Sequence, residues 1–348
     1  MANHLQGRLG MTHPFPKHRL HILISIFFLY LLVTALSTAS VAQSNHVERI
    51  DYLKMLREQR TWAGLTSKTM RVGDVVWSYS EGGHKDRPTI LLIHGLSSNR
   101  DTWNEIAHEL TPYYHVIIPD LPSSGDTQVP ANFDLSVPNV TEQLRRFIET
   151  ANIQKQLNIA GHSIGGSIAM FYAAQYPYDT QSLLLISTGG LFKSNNTAYL
   201  KNPLYLKQLL VTQTGDLEFA RKKIMYSLPF LPSAVAREQE KYMISQSESA
   251  NKVIQQLVEF NKLYTADSFA KMAKNIEAPT MIIWGKQDQI VNVEVAKELQ
   301  SMLKRGETPI ILNQVGHVPI LETPQLVVQG YLPFLQRTIQ LKNPVAEP

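Results

Sequence analysis

The chain has 348 residues, 44% of them hydrophobic and 18% charged. This globular composition excludes disordered, collagen-like and coiled-coil architectures, and the length suffices for a sizeable core. Lysine and arginine number 33 against 29 acids, a formal charge of +4 with no basic stripe, so no nucleic-acid partner is expected; cysteine is absent, which excludes disulfides, a thiol nucleophile and a Cys-ligated metal site.

Residues 1–42 read as a targeting segment. The first 20 residues carry Arg8, Lys17 and Arg19 and no acid, and Ile22–Leu36 is an apolar run. At 15 residues the run is short of the roughly 20 a spanning helix needs, and it fits the hydrophobic region of a signal peptide. Ser40-Val41-Ala42 then offers small residues for cleavage after Ala42. The mild residues Ser37–Ala42 equally extend the stretch to about 20 residues, the length of an uncleaved membrane anchor. Both readings stay open, as does a start at Met11 instead of Met1. Both put the body outside the cytoplasm, either periplasmic or secreted after cleavage, or held at a membrane. Residues 43–68 read as a linker or N-terminal extension.

The body begins at 69. Met70–Arg71 and Val75–Ser80 form an opening hairpin around Gly73-Asp74. Thr89–His94 and His115–Pro119 are continuous apolar runs, as strands covered on both faces should be. Helices are expected at Thr102–Leu110 and at Asn139–Thr150, where Val140, Leu144, Phe147 and Ile148 share a stripe. The strand Leu157–Ala160, the helix Gly165–Gln175 and the strand Leu183–Ile186 complete a first part of the core over 69–190. From 191 to 269 no buried strand is visible, and this stretch reads as a helical insertion. A second part, 270–338, holds the strand Thr280–Trp284, the helix Val293–Leu303, the strand Pro309–Leu312 and the helix Pro324–Leu335, before a tail at 339–348. The alternation implies an α/β fold: a mostly parallel sheet with helices on both faces, its functional groups at the carboxyl ends of the strands.

The strongest chemical signal is Gly161-His162-Ser163-Ile164-Gly165, between a strand and a helix. A serine on so sharp a turn lifts its Oγ clear of the sheet, and the flanking glycines remove side chains that would collide there. A hydroxyl needs a base. Of the eleven histidines, His4, His13, His18 and His21 lie in the targeting segment; His84 sits in a polar turn, and His108 and His115 lie on a helix and a strand. His162 adjoins the serine, but its side chain should point away from Oγ. His317, in the loop Gln314–Pro319, is the best base. A carboxylate must orient it, and Asp288 follows the strand Thr280–Trp284 and lies 29 residues before His317. Asp120 and Asp126 are rivals that precede the serine; Glu322 is expected at the start of the last helix, favouring its dipole. Two backbone N–H groups would hold an oxyanion: that of Ile164, directly after the serine, and that of Leu96, with His94 buttressing the loop. This chemistry calls for no metal and no organic cofactor.

The segments His94-Gly95, Asp120–Gly125, Gly161–Gly165, Gly285–Asp288 and Gly316-His317 fall in the order of the α/β-hydrolase superfamily, which the chain resembles over about residues 69–338. Trp284–Gln289 and Val315–Pro319 further resemble membrane-bound monoacylglycerol lipases and tethered bacterial lipases and esterases. The resemblance implies Ser163, Asp288 and His317 as nucleophile, acid and base. It also implies that the insertion caps the site. One departure is Ser123-Ser124, where many relatives have glycine followed by an aromatic residue. Apolar residues of the insertion (Leu204, Tyr205, Leu209, Leu210, Ile224, Met225, Leu228, Phe230 and Leu231) are candidates for acyl contacts or for packing the cap itself. Leu228–Pro232, interrupted by prolines, is expected as a non-helical, mobile cap edge. The expected function is serine hydrolysis of carboxylic esters, with small-molecule or lipid esters such as monoacylglycerols as substrates and membrane contact through the N-terminal segment. The alternatives are a carbon–carbon bond hydrolase using the same residues and a non-catalytic binding module on the same scaffold.

Overall fold

In a computed structural model, residues 51–153 and 157–340 are described. The targeting segment expected at 1–42 lies outside them, as does all but the first two residues of the tail expected at 339–348. Among the described residues no helix is long and apolar enough to cross a membrane.

Eight strands form one sheet: β1 (Leu65–Val72), β2 (Val75–Gly82), β3 (Thr89–Ile93), β4 (His115–Pro119), β5 (Leu157–His162), β6 (Thr180–Ile186), β7 (Thr280–Gly285) and β8 (Ile310–Leu312). Their spatial order is β1-β2-β4-β3-β5-β6-β7-β8. β1 and β2 form the expected hairpin, β2 runs antiparallel to β4, and β3 to β8 are mutually parallel. After β3 the chain steps to β4 on one side and then to β5 on the other. Loops leaving β3 and β5 therefore diverge and open a crevice at the carboxyl ends of these strands.

Every residue of β3 to β7 is buried, because helices cover both faces. The period-2 alternation of strand side chains divides the core in two. Leu91, Ile93, Ile117, Ile159, Leu185 and Trp284 face α3 (Val137–Thr150), α4 (Ile164–Gln175) and α9 (Glu294–Met302). Ile90, Leu92, Val116, Ala160, Ile186 and Ile283 face α2 (Asn104–Leu110) and α11 (Pro324–Gln340).

Between β6 and β7 the described residues contain no strand. They hold α5 (Ala198–Lys201), a 3-10 turn at Pro203–Leu209, α6 (Asp216–Ile224), α7 (Ser233–Leu263) and α8 (Ala266–Ala273). The expected cap boundary at 269 falls inside α8, whose Phe269 and Ala273 belong to the core on the α4 side. Leu209 joins that core and Leu210 packs with Ala250 and Ile254, so neither lies on a free surface. Leu204, Tyr205, Leu228 and Phe230 are exposed. The stretch from Met225 to Pro232 is non-helical, as its prolines require.

Of the expected linker or N-terminal extension at 43–68, residues 51–68 are described and carry a helix and the start of a strand. Asp51 caps α1 (Tyr52–Trp62) by accepting from the Lys54 amide at 2.9 Å, and β1 begins at Leu65, four residues earlier than the expected start of the body. The helix is held by an ion pair: Arg60 donates through Nε and through a terminal nitrogen to the two oxygens of Asp101, each at 2.6 Å, with both side chains nearly buried. Removing one partner of such a pair strands the other charge. Asp101→Ala is expected to lower unfolding stability by about 3–5 kcal/mol; urea denaturation of the purified variant measures this.

Candidate active site

Ser163 stands between β5 and α4 with φ 55° and ψ −122°. A non-glycine residue at positive φ is strained, and the surrounding bonds hold it there. The Ser163 amide donates to the Ile186 carbonyl at 3.0 Å, and the Ser163 carbonyl accepts from the amides of Gly166 at 2.9 Å and Gly189 at 3.0 Å. The flanking glycines are dictated by contact. A Cβ on Gly161 would collide with the Gly165 carbonyl, and one on Gly165 with the carbonyls of Ile93 and His94. β5 and α4 thereby approach each other and β3 closely enough to expose Oγ at the crevice.

The loop after β8 carries His317 to this point. His317 Nε2 lies 3.0 Å from Ser163 Oγ, and His317 Nδ1 lies 2.9 Å from Asp288 Oδ2. Asp288 sits in the turn after β7, its side chain fully buried. Its Oδ1 accepts from the amides of Ile290 at 2.8 Å and Val291 at 2.9 Å, so Oδ2 is left for the imidazole. With Nδ1–H donated to the carboxylate, Nε2 presents a lone pair to the serine hydroxyl. The loops stay close because residue 285 is glycine: a Cβ there would overlap the Gly316 carbonyl.

The loop after β3 lies against Ser163, since a Cβ on Gly95 would stand 3.2 Å from Ser163 Cβ. The amides of Leu96 and Ile164 have no acceptor among the described residues. The Ile164 amide also opens α4, where the helix dipole favours negative charge. His94 is buried. Its Nε2 accepts from the Leu121 amide at 3.0 Å and its Nδ1 donates to the Gly95 carbonyl at 2.8 Å, so it braces the loop. His162 turns away from Oγ and donates Nε2–H to the His317 carbonyl at 2.8 Å.

The rival carboxylates have another task. Asp120 is buried against the Arg100 guanidinium and accepts from the Arg100 amide at 2.7 Å and the Asp126 amide at 2.9 Å; Asp126 takes a second Arg100 nitrogen at 2.6 Å. The cluster ties the loop after β4 to the one after β3. Ser123 adopts φ 65°, a conformation that glycine takes without strain. Glu322 ends the short helix α10 (Pro319–Glu322) instead of starting the last helix, and it accepts from the Gly316 and Val318 amides. The structure brings together Ser163, His317 and Asp288, the three residues expected from the sequence; the contacts of Arg100, His162 and Glu322 were not expected, because their partners are backbone groups or residues distant in the chain.

A family model described as the alpha/beta hydrolase fold matches residues 88–324. The chain belongs to this family. Among curated relatives, Lipase 1 of Psychrobacter immobilis is 30% identical over 81% of this chain and 87% of its own length. Monoacylglycerol lipase abhd6-A of Xenopus laevis is 28% identical over 80% of this chain and 85% of its own. The crystal structure of a candidate lipase from Acinetobacter baumannii AYE is 53% identical, with a TM-score of 0.83, covering 86% of this chain and 99% of that one. As an alpha/beta hydrolase, the chain is similar to lipases across its whole body, as the resemblance implied.

The bracing histidines make the site acid-sensitive. Burial lowers His94 from 6.5 to about 4; burial, with the neighbouring His317, lowers His162 to about 3. Below pH 6.5 the unfolded chain binds protons that the folded chain refuses. Their contribution is therefore complete above that pH and is lost as pH falls toward the folded values, at about 1.4 kcal/mol per pH unit for each imidazole. Urea midpoints should fall between about pH 7 and pH 5; equal midpoints would contradict the buried neutral assignment.

Proposed function

We propose that the protein is a serine hydrolase of carboxylic esters, an esterase or lipase, that works through an acyl-enzyme. Ser163 Oγ attacks the ester carbonyl carbon and gives its proton to His317 Nε2, while Asp288 holds the ring and stabilises the imidazolium. The carbonyl oxygen becomes an oxyanion that accepts from the Leu96 and Ile164 amides; losing one such donor typically costs about 10²–10³ in rate. His317 protonates the departing alcohol as the carbonyl reforms on Ser163. Water then attacks the acyl-enzyme, passing its proton to His317, and the second collapse releases the acid and returns the proton to Ser163. The observation that carries this reading is the continuous hydrogen-bonded path from Asp288 Oδ2 through His317 to Ser163 Oγ.

Lipid esters are the proposed substrates, with monoacylglycerols foremost. Relatives named lipase and monoacylglycerol lipase support this, as does an apolar contact beside the expected oxyanion loop: Leu96 packs against the cluster of Leu210, Ala250 and Ile254 from the insertion. The N-terminal run Ile22–Leu36 would export the body or hold it at a membrane, near such substrates.

Turnover of p-nitrophenyl esters and monoacylglycerols of increasing acyl length tests the reading. Hydrolysis is expected to rise with chain length beyond acetate and to vanish in Ser163→Ala, while Asp288→Asn lowers kcat by about 10⁴-fold through the wrong tautomer. Preference for acetate over every longer chain would remove lipids from the account.

A further inference from the structure

Glu322 lies outside the Ser163–His317–Asp288 path yet holds both sides of a junction beside it. Its Oε2 accepts from the Gly316 amide at 2.8 Å and from the amides of Tyr226 and Ser227, each at 2.9 Å; its Oε1 accepts from Val318 at 3.1 Å. Gly316 and Val318 flank His317. Tyr226 and Ser227 belong to the cap, just after α6. Capping α10 alone would engage only the first pair.

The same two segments meet at three further points. The His317 amide donates to the Ile224 carbonyl at 2.8 Å, and Ser227 Oγ donates to the Gln314 carbonyl at 2.8 Å. A Cβ on Gly316 would stand 2.6 Å from the Tyr226 amide nitrogen, so only glycine lets the cap segment seat here. The loop has little local preference for its shape: Gln314 enters it at φ 60°, a strained conformation for that residue. Its conformation is held from outside, by a carboxylate whose bonds to amides are charge-assisted and stronger than neutral ones.

We propose that Glu322 is a positioning residue that couples the cap to the base: His317 is aligned with Ser163 only while the cap segment Ile224–Ser227 is seated on the same carboxylate. This rests on the serine-hydrolase reading and adds how that site is regulated. A cap displaced to admit substrate loosens the His317 loop, and reseating the cap over bound substrate restores the base. Hydrolysis is thereby tied to closure.

The test compares the full chain with Glu322→Gln, Glu322→Ala and Gly316→Ala. It follows the p-nitrophenol burst and steady-state turnover with p-nitrophenyl acetate, whose acyl group is too short to depend on the cap, and with p-nitrophenyl decanoate. Melting temperature and the low-field proton NMR signal of the Asp288–His317 hydrogen bond are read in parallel. The Ala variant at 322 should acylate from acetate about 10²-fold more slowly, the scale of a 1 Å misplacement of a reacting group. The Gln variant, which keeps one acceptor oxygen, should recover part of that rate. KM for acetate should shift by less than about threefold, because alignment and not binding is lost. The low-field signal should broaden or vanish below the melting transition, and Gly316→Ala should show the same losses with Glu322 intact.

Unchanged acetate acylation in Glu322→Ala, with only the decanoate KM raised, would assign Glu322 to the cap alone and overturn the coupling. So would losses that follow melting temperature while the low-field signal persists. If Glu322→Ala does not fold, the Gln and Gly316 variants decide by the same criteria. A wild-type chain that turns over neither ester would sink the hydrolase reading itself; wild-type turnover with unaffected variants sinks only the coupling.

Discussion

The hydrogen bond between Ser163 Oγ and His317 Nε2, 3.0 Å long, joins residues 154 positions apart, and the proposed chemistry has no other route for the serine proton. A parallel sheet makes such a bond attainable. β5, β7 and β8 end on the same edge, so the loops carrying Ser163, Asp288 and His317 emerge side by side. Strain at Ser163 is sustained because its amide and carbonyl are committed to neighbouring segments. The glycines at 161, 165, 285 and 316 act at a distance of one atom, since a methyl group at any of them would separate two of the loops that must meet.

Polar groups buried around this centre act on backbone. His94 braces the loop that carries the Leu96 amide, His162 takes the His317 carbonyl, and Arg100 with Asp120 links the loops after β3 and β4. A loop has no hydrogen-bonding ladder of its own, and its amides and carbonyls need partners when buried. Glu322 extends the same principle to the cap, where one carboxylate serves amides from two separate parts of the chain.

Much of the fold was legible because its determinants are local. Continuous apolar runs marked β3, β4 and β7, and the glycines around Ser163 marked the turn that exposes it. His317 and Asp288 could be proposed as partners of Ser163 because each follows a strand, and the structure places both within hydrogen-bond reach along one path. α1 was not legible: it is polar, Leu56 and Arg60 are its buried residues, and the contact that holds it involves Asp101, forty-one positions on. The course of α8 across residue 269 was hidden for a similar reason, since Phe269 joins the core only through rings that it meets on Phe171 and Phe192. Glu322 was read from its neighbours in sequence as a helix-dipole residue, whereas its reach to Tyr226 and Ser227 exists only in three dimensions.

The most direct measurement is the site and rate of reaction with a fluorophosphonate, followed by mass spectrometry of the digested protein. The account predicts a single adduct on Ser163 of the native chain, formed rapidly, absent after denaturation and strongly slowed in His317→Ala. An adduct elsewhere, or labelling of Ser163 at the same rate without His317, would contradict it.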